Sequence, residues 1–249
     1  MNEPWIPEIT NEFIPQEKHT IDSGVRQNHV FGGVIHAVGT VAAIGTPVYS
    51  QTNFYKSAVA EKPIRIIRQQ VSSNLFLNTL EQDDYLISRT IVGTSEAAEP
   101  ELKISPTEMK DFRPDEFDFS GWGTGSDIMY YLTGNFRRSE AKMWLKDHTF
   151  DTGVLATLAD FNAIQIAPYV GQFGITKTLT SHFTSNMPVK KSYVKHAVEG
   201  TSNGVVFARL DQYDDEGNPA CLTRGVFKLA SENQNEYPEH FGADAKFLK

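Results

Sequence analysis

The chain has 249 residues, 40% of them hydrophobic and 11% aromatic, enough apolar material for one large core or two ordinary ones, which excludes a disordered protein. A formal charge of -8 excludes a sequence-independent nucleic-acid binder, which needs a basic surface to neutralise phosphates. Cys221 has no partner for an internal disulfide, no charged-then-apolar leader opens the chain, and the longest apolar run, Val34 to Val48, is broken by Gly39, Gly45 and Pro47. These features predict a cytoplasmic protein without a membrane span.

Residues 1–28 are rich in Pro, Glu, Asn and Thr without periodicity and predict a partly extended arm. From Val30-Phe31-Gly32-Gly33 to Ala43 the chain is small and apolar, as in a helix enclosed by protein. After a polar connection, Ile64 to Arg68, Leu75 to Leu80 and Tyr85 to Val92 carry the Ile, Leu, Val and Tyr content of short strands. Pro100, Pro106 and Pro114, a run of acids, and Gly121-Trp122-Gly123-Thr124-Gly125 then mark a linker. These glycines lack the strand-then-helix setting of a phosphate loop and predict a plain turn.

A strand over Tyr131 to Phe136 and a polar segment from Arg137 to Asp151 precede a second apolar helix, running from Thr152 to Ile166. Its Val154, Leu155, Leu158, Phe161 and Ile164 form one stripe, with Asp151 or Thr152 placed to cap the first turn. Strands follow over Thr176 to Thr184, Ser192 to Glu199, Gly204 to Tyr213 and Ala220 to Leu229. Alternation sets Thr178, Thr180 and His182 on one face of the first of these, and Leu179, Ser181 and Phe183 on the other. The shared order of parts, a glycine-led helix and then antiparallel strands, predicts an α+β duplication: arm 1–28, first half 29–105, linker 106–126, second half 127–230, tail 231–249.

The order and content of the segments from Gly153 to Phe227 resemble the hotdog fold of acyl-CoA thioesterases, in which an antiparallel sheet wraps a central helix. In the first half, Val30-Phe31-Gly32-Gly33 is similar to the entrance of the first helix in type II, double-hotdog acyl-CoA thioesterases. The resemblance implies a tandem hotdog, with each half a sheet wrapped around its own helix and both halves joined edge to edge. It further implies hydrolysis of an acyl thioester of CoA or of a carrier protein. In that family an aspartate of the second helix, a threonine of the next strand and a glutamine of the last strand hold the hydrolytic water. Asp160 matches the aspartate and Thr178 the threonine, while Arg224, or Thr223 with a one-residue shift, stands where the glutamine should be.

Asp160 is a lone carboxylate among Ala, Leu and Phe, costly to bury charged without a partner, and desolvation would raise its pKa toward that of a general base. The competing reading is structural, with Asp160 bonded to a strand's backbone amide or ion-paired with Arg224. A threonine hydroxyl at Thr178 can both donate to and accept from a water. Arg224 could hold Asp160 ionised or bind a substrate anion. Gly32 and Gly33 would either offer helix N-terminal amides to a thioester oxygen or simply let helix and sheet pack tightly. His36 or His29 facing an acid from the other half would indicate a dehydratase or isomerase on β-hydroxyacyl or enoyl thioesters. Loss of the water-holding set would leave a non-catalytic acyl-thioester-binding protein. His182 and His196 read as structural or surface residues. No Cys/His spacing suggests zinc, and Asp214-Asp215-Glu216-Gly217-Asn218 reads as a hairpin rather than a calcium loop, so no cofactor or metal is expected. The expected partners are the acyl thioester and, in a homo-oligomer, other double-hotdog units.

Overall fold

The structure, a computed structural model, describes residues 11–20, 29–95, 119–120, 128–135, 138–145, 151–160, 174–184, 191–214 and 216–229. Most of the expected linker, residues 161–166 of the expected second helix and the C-terminal tail lie outside these residues.

Each helix forms where the sequence is small, apolar and free of charge. Helix α1 spans Gly32–Val41 and buries all of 33–40; Val34, Ile35 and Val38, each 2% exposed or less, contribute about 2 kcal/mol apiece. Helix α2 spans Thr152–Leu158, with the Asp151 carboxylate accepting the Val154 N–H at 2.9 Å as the expected cap.

The first part of the chain gives strands β1 (Glu12–Phe13), β2 (Thr46–Phe54), β3 (Ile64–Ser72), β4 (Leu75–Gln82) and β5 (Tyr85–Ser95). The second gives β6 (Phe119–Ser120), β7 (Ile128–Asn135), β8 (Arg138–Leu145), β9 (Gly174–Phe183), β10 (Lys191–Ser202), β11 (Val205–Tyr213) and β12 (Pro219–Leu229). They join in one sheet of order β1-β3-β4-β5-β2-β9-β12-β11-β10-β8-β7-β6. Outward from the antiparallel β2/β9 pair, β5, β4 and β3 follow on one side and β12, β11 and β10 on the other. Each side pairs neighbours in the same sequence order. A single core joins them, since Val34, Val38, Ile64 and Leu80 share it with Val154, Leu158 and Leu210.

Two strands depart from the sequence expectation of polar connections. The inward positions of β2 are Pro47, Ser50 and Thr52, the last two fully buried, so the seam strand lacks an apolar alternation. Strand β8 falls in the segment read as polar, Arg137 to Asp151, because Arg138, Ser139, Glu140 and Lys142 fill much of it. Register shifts give β2 and β9 one extra residue each, Val48 between Pro47 and Tyr49, and Lys177 between Thr176 and Thr178. Among the described residues no helix is long and apolar enough to cross a membrane.

His196 on β10 is 4% exposed, and neither ring nitrogen has a hydrogen-bond partner among the described residues. Burial pulls its pKa from 6.5 to about 4. With the folded value below the unfolded one, its linked stability is intact above about pH 6.5 and lost as pH falls toward 4. By that linkage His196→Leu should gain about 2 kcal/mol relative to the parent between pH 7 and pH 5 in urea melts. Parallel stability–pH curves for the two proteins would refute a neutral, buried imidazole.

Candidate active site

Asp160, expected inside the second helix, lies in the turn two residues past its last helical residue, Leu158, and is 3% exposed. Its carboxylate accepts the Thr176 hydroxyl of β9 at 2.7 Å and the backbone N–H of Gly33 in the first turn of α1. Both helices and a seam strand therefore converge on one carboxyl group. Desolvation raises its pKa from 3.8 to about 7, opposed first by the Thr176 hydroxyl and then by the Gly33 amide, which favour the charged form. Gly32 makes the approach possible, because a Cβ there would stand 2.5 Å from Asp160 Oδ2.

A cleft of about 410 Å³ has Gly32 and Thr176, the neighbours of Asp160, in its wall; Asp160 itself is not part of the lining. Ile35, Phe54 and Ile175 supply apolar surface, Lys56 and Lys177 are exposed cations of the lining, and among the described residues no carboxylate belongs to it. Such a cleft suits a ligand with an apolar tail and an anionic arm.

The structure brings Asp160, Gly32 and Gly33 together, and the strand threonine bonded to Asp160 is Thr176. Thr178 donates its hydroxyl to Asn53 Oδ1 at 3.1 Å, on the sheet face opposite the buried Leu179 and Ser181. Past Thr178 the extra residue Lys177 resets the alternation, and Thr176 returns to the helix side. Arg224 is likewise on the outer face, held by Asp211 at 3.0 Å and Glu199 at 3.7 Å; neither the ion pair with Asp160 nor a catalytic contact forms. Thr223 points inward, fully buried, and meets Ser181 Oγ at 3.1 Å and Cys221 Sγ at 3.7 Å, away from the cleft lining.

The histidines expected of a dehydratase are placed otherwise. His36 is fully buried among the hydroxyls of Thr52, Ser181 and Ser50, with no acid bonded to it, and burial lowers its pKa to about 3. His29 pairs through its backbone with Val59. His182 meets Tyr49 edge to face with ring centroids 5.1 Å apart, and burial and then Arg224 lower its pKa. No metal-holding group of His, Cys, Asp and Glu occurs among the described residues.

No protein-family model matches the sequence, and no curated protein matches it. Solved structures do match the fold. A protein of unknown function with a hot dog fold from Alicyclobacillus acidocaldarius is 18% identical at a TM-score of 0.70, over 89% of this chain and 94% of that one. An acyl-CoA thioesterase II, TesB2, from Mycobacterium marinum is 10% identical at a TM-score of 0.62, over 84% and 90%. The dehydratase domain of RzxB from Pseudomonas fluorescens is 12% identical at a TM-score of 0.57, over 87% and 94%. Likeness at such identities shows the fold, and the chain has the hotdog fold.

Proposed function

We propose that this chain is a double-hotdog hydrolase of acyl thioesters, resembling the type II acyl-CoA thioesterases, with Asp160 as general base. The carrying observation is the meeting of Asp160, Thr176 and the Gly33 amide, with Thr176 and the adjoining Gly32 in the wall of one cleft. The two sides of the sheet, each with its own helix and the same pairing order, support the tandem arrangement.

A carboxylate titrating near neutrality can take a proton from water without being trapped by it. Thr176 gives its hydroxyl hydrogen to Asp160, so its oxygen is left to accept one hydrogen of the attacking water, while Asp160 Oδ2 accepts the other. The water's lone pair then faces the thioester carbon. Gly32, in the first turn of α1, would present its N–H to the carbonyl oxygen as negative charge grows there. Ile35, Phe54 and Ile175 would hold the acyl chain, and Lys56 and Lys177 the phosphates of CoA or of a carrier's phosphopantetheine. The proton passes to the departing thiolate as the C–S bond breaks. This scheme needs no residue in the glutamine position, where Thr223 and Arg224 stand.

The test is free-thiol release from short-, medium- and long-chain acyl-CoAs and from an acyl-carrier protein. Activity should rise through about pH 7 as Asp160 ionises. Thr176→Val should lower kcat by about thirtyfold, less than the loss of the general base itself, and leave KM little changed. Thr178→Val should match the parent. Hydrolysis by neither route, with acyl-CoA still bound, would replace the hydrolase with the acyl-binding alternative.

A further inference from the structure

Helix α1 reads Gly-Gly-Val-Ile-His-Ala-Val-Gly-Thr-Val, so only His36 and Thr40 have hydrogen-bonding side chains. Thr40 turns back onto the carbonyl of His36 at 2.7 Å, which leaves His36 as the one α1 side chain bonded to the sheet. Its Nδ1 is 2.7 Å from Thr52 Oγ1 on β2, and its Nε2 is 3.0 Å from Ser181 Oγ on β9 and 3.3 Å from Ser50 Oγ. The row continues outward on both sides, from Thr52 to Thr90 on β5 at 2.8 Å and from Ser181 to Thr223 on β12 at 3.1 Å.

This row has matching halves. Thr52 is directly opposite Thr90, Ser181 is directly opposite Thr223, and the imidazole stands between the two pairs at the β2/β9 seam. Counted from Gly33 and Gly153, the place of His36 in α1 belongs to Ala156 in α2, which leaves the seam to a single imidazole. All of these hydroxyls are fully buried, where each would cost about 1–3 kcal/mol if left without a partner. A neutral ring, one nitrogen donating and the other accepting, serves both sides at once.

We propose that His36 is a positioning residue: by tying the second turn of α1 to both sides of the seam, it sets where the Gly32 and Gly33 amides of the first turn stand relative to Asp160. Gly32 and Gly33 are one helical turn away from His36, so a displacement of the ring's anchor carries them with it. The kinetic consequence rests on the hydrolase proposed above; the effect on Asp160 itself does not.

The test follows the Asp160 carboxyl by carbon-13 NMR of aspartate-labelled protein, assigned through Asp160→Asn, alongside thioester hydrolysis. Four proteins are compared: the parent, His36→Leu, His36→Gln, and Thr52→Val with Ser181→Ala. In His36→Leu and the double variant the Asp160 midpoint should move upward, because the Gly33 N–H that favours the charged form draws away. Their kcat should fall about tenfold with KM within about twofold, as expected for slight misplacement of reacting groups. His36→Gln, which keeps a donor and an acceptor, should recover most of both. If His36→Leu does not fold, the double variant decides. An unmoved Asp160 midpoint and kcat in a variant that merely melts lower would overturn the positioning role. Absence of hydrolysis in the parent would count against the hydrolase alone, since the titration still decides the role of His36.

Discussion

Asp160→Asn should abolish turnover and yet make the protein more stable. The amide cannot take a proton from water, so thiol release should fall about a hundredfold or more at saturating substrate. Stability moves the other way because the folded protein holds the Asp160 pKa at about 7 against 3.8 for a free side chain. A carboxyl raised on folding costs stability as pH climbs from about 4 to 7 and the buried group is forced to ionise. That cost approaches roughly 4 kcal/mol above pH 7 by linkage. Asparagine never ionises, and it can still accept the Gly33 N–H and donate to Thr176 Oγ1. Asp160→Asn should therefore melt higher than the parent at pH 8, with the difference shrinking toward pH 4. A stabilised, inactive variant is the pattern of a group kept for function against its cost to the fold. Equal stability of the two proteins from pH 4 to pH 8 would mean that Asp160 is an ordinary ionised carboxylate, and the general-base assignment would go with it.

The parts of this molecule that were legible in its sequence are those whose surroundings are made by the segment itself. Both helices announce themselves by the absence of charge, and Asp151 caps α2 from the position its type and spacing predict. Asp160 stands out for a related reason: a carboxylate in an apolar helix needs partners, and it has them. The seam strand β2 was hidden because its inward side chains, Ser50 and Thr52, face an imidazole instead of hydrocarbon, and polar contacts across the fold leave no period in the sequence. Thr176 was hidden by the extra residue Lys177. Simple alternation already put Thr178 on the face of His182, away from the buried Leu179, Ser181 and Phe183. What alternation cannot supply is the bulge that brings a nearby threonine back to the helix side. The partners of Arg224 depend on register, since Asp211 and Glu199 belong to β11 and β10. No local pattern in β12 specifies them.

The second large effect is expected at Gly33, and its neighbour separates packing from chemistry. At Gly33 a Cβ would overlap the backbone carbonyl oxygen of Thr157 and crowd the ring of Phe31. The two helices touch there backbone to backbone. Thr157 has little freedom to yield, being fully buried with its hydroxyl donated to the Gly153 carbonyl at 2.8 Å. Gly33→Ala must therefore push α1 off α2, and with both helices in one core it should cost about 3 kcal/mol or more, or prevent folding. In Gly32→Ala the nearest groups to the new methyl are side chains, the Asp160 carboxylate and, at 3.7 Å, the Phe54 ring. A side chain can rotate where a backbone cannot, so Gly32→Ala should fold, lose little stability and lose activity through a displaced carboxylate. Gly200→Ala, with nothing within 4 Å of the new methyl, is the control and should lie within about 0.5 kcal/mol of the parent. Urea melts of the three variants rank these cases directly. If Gly33→Ala were as stable as Gly200→Ala, the helices would not be in backbone contact, and the Gly33 amide could not be held against Asp160 in the way the proposed chemistry requires.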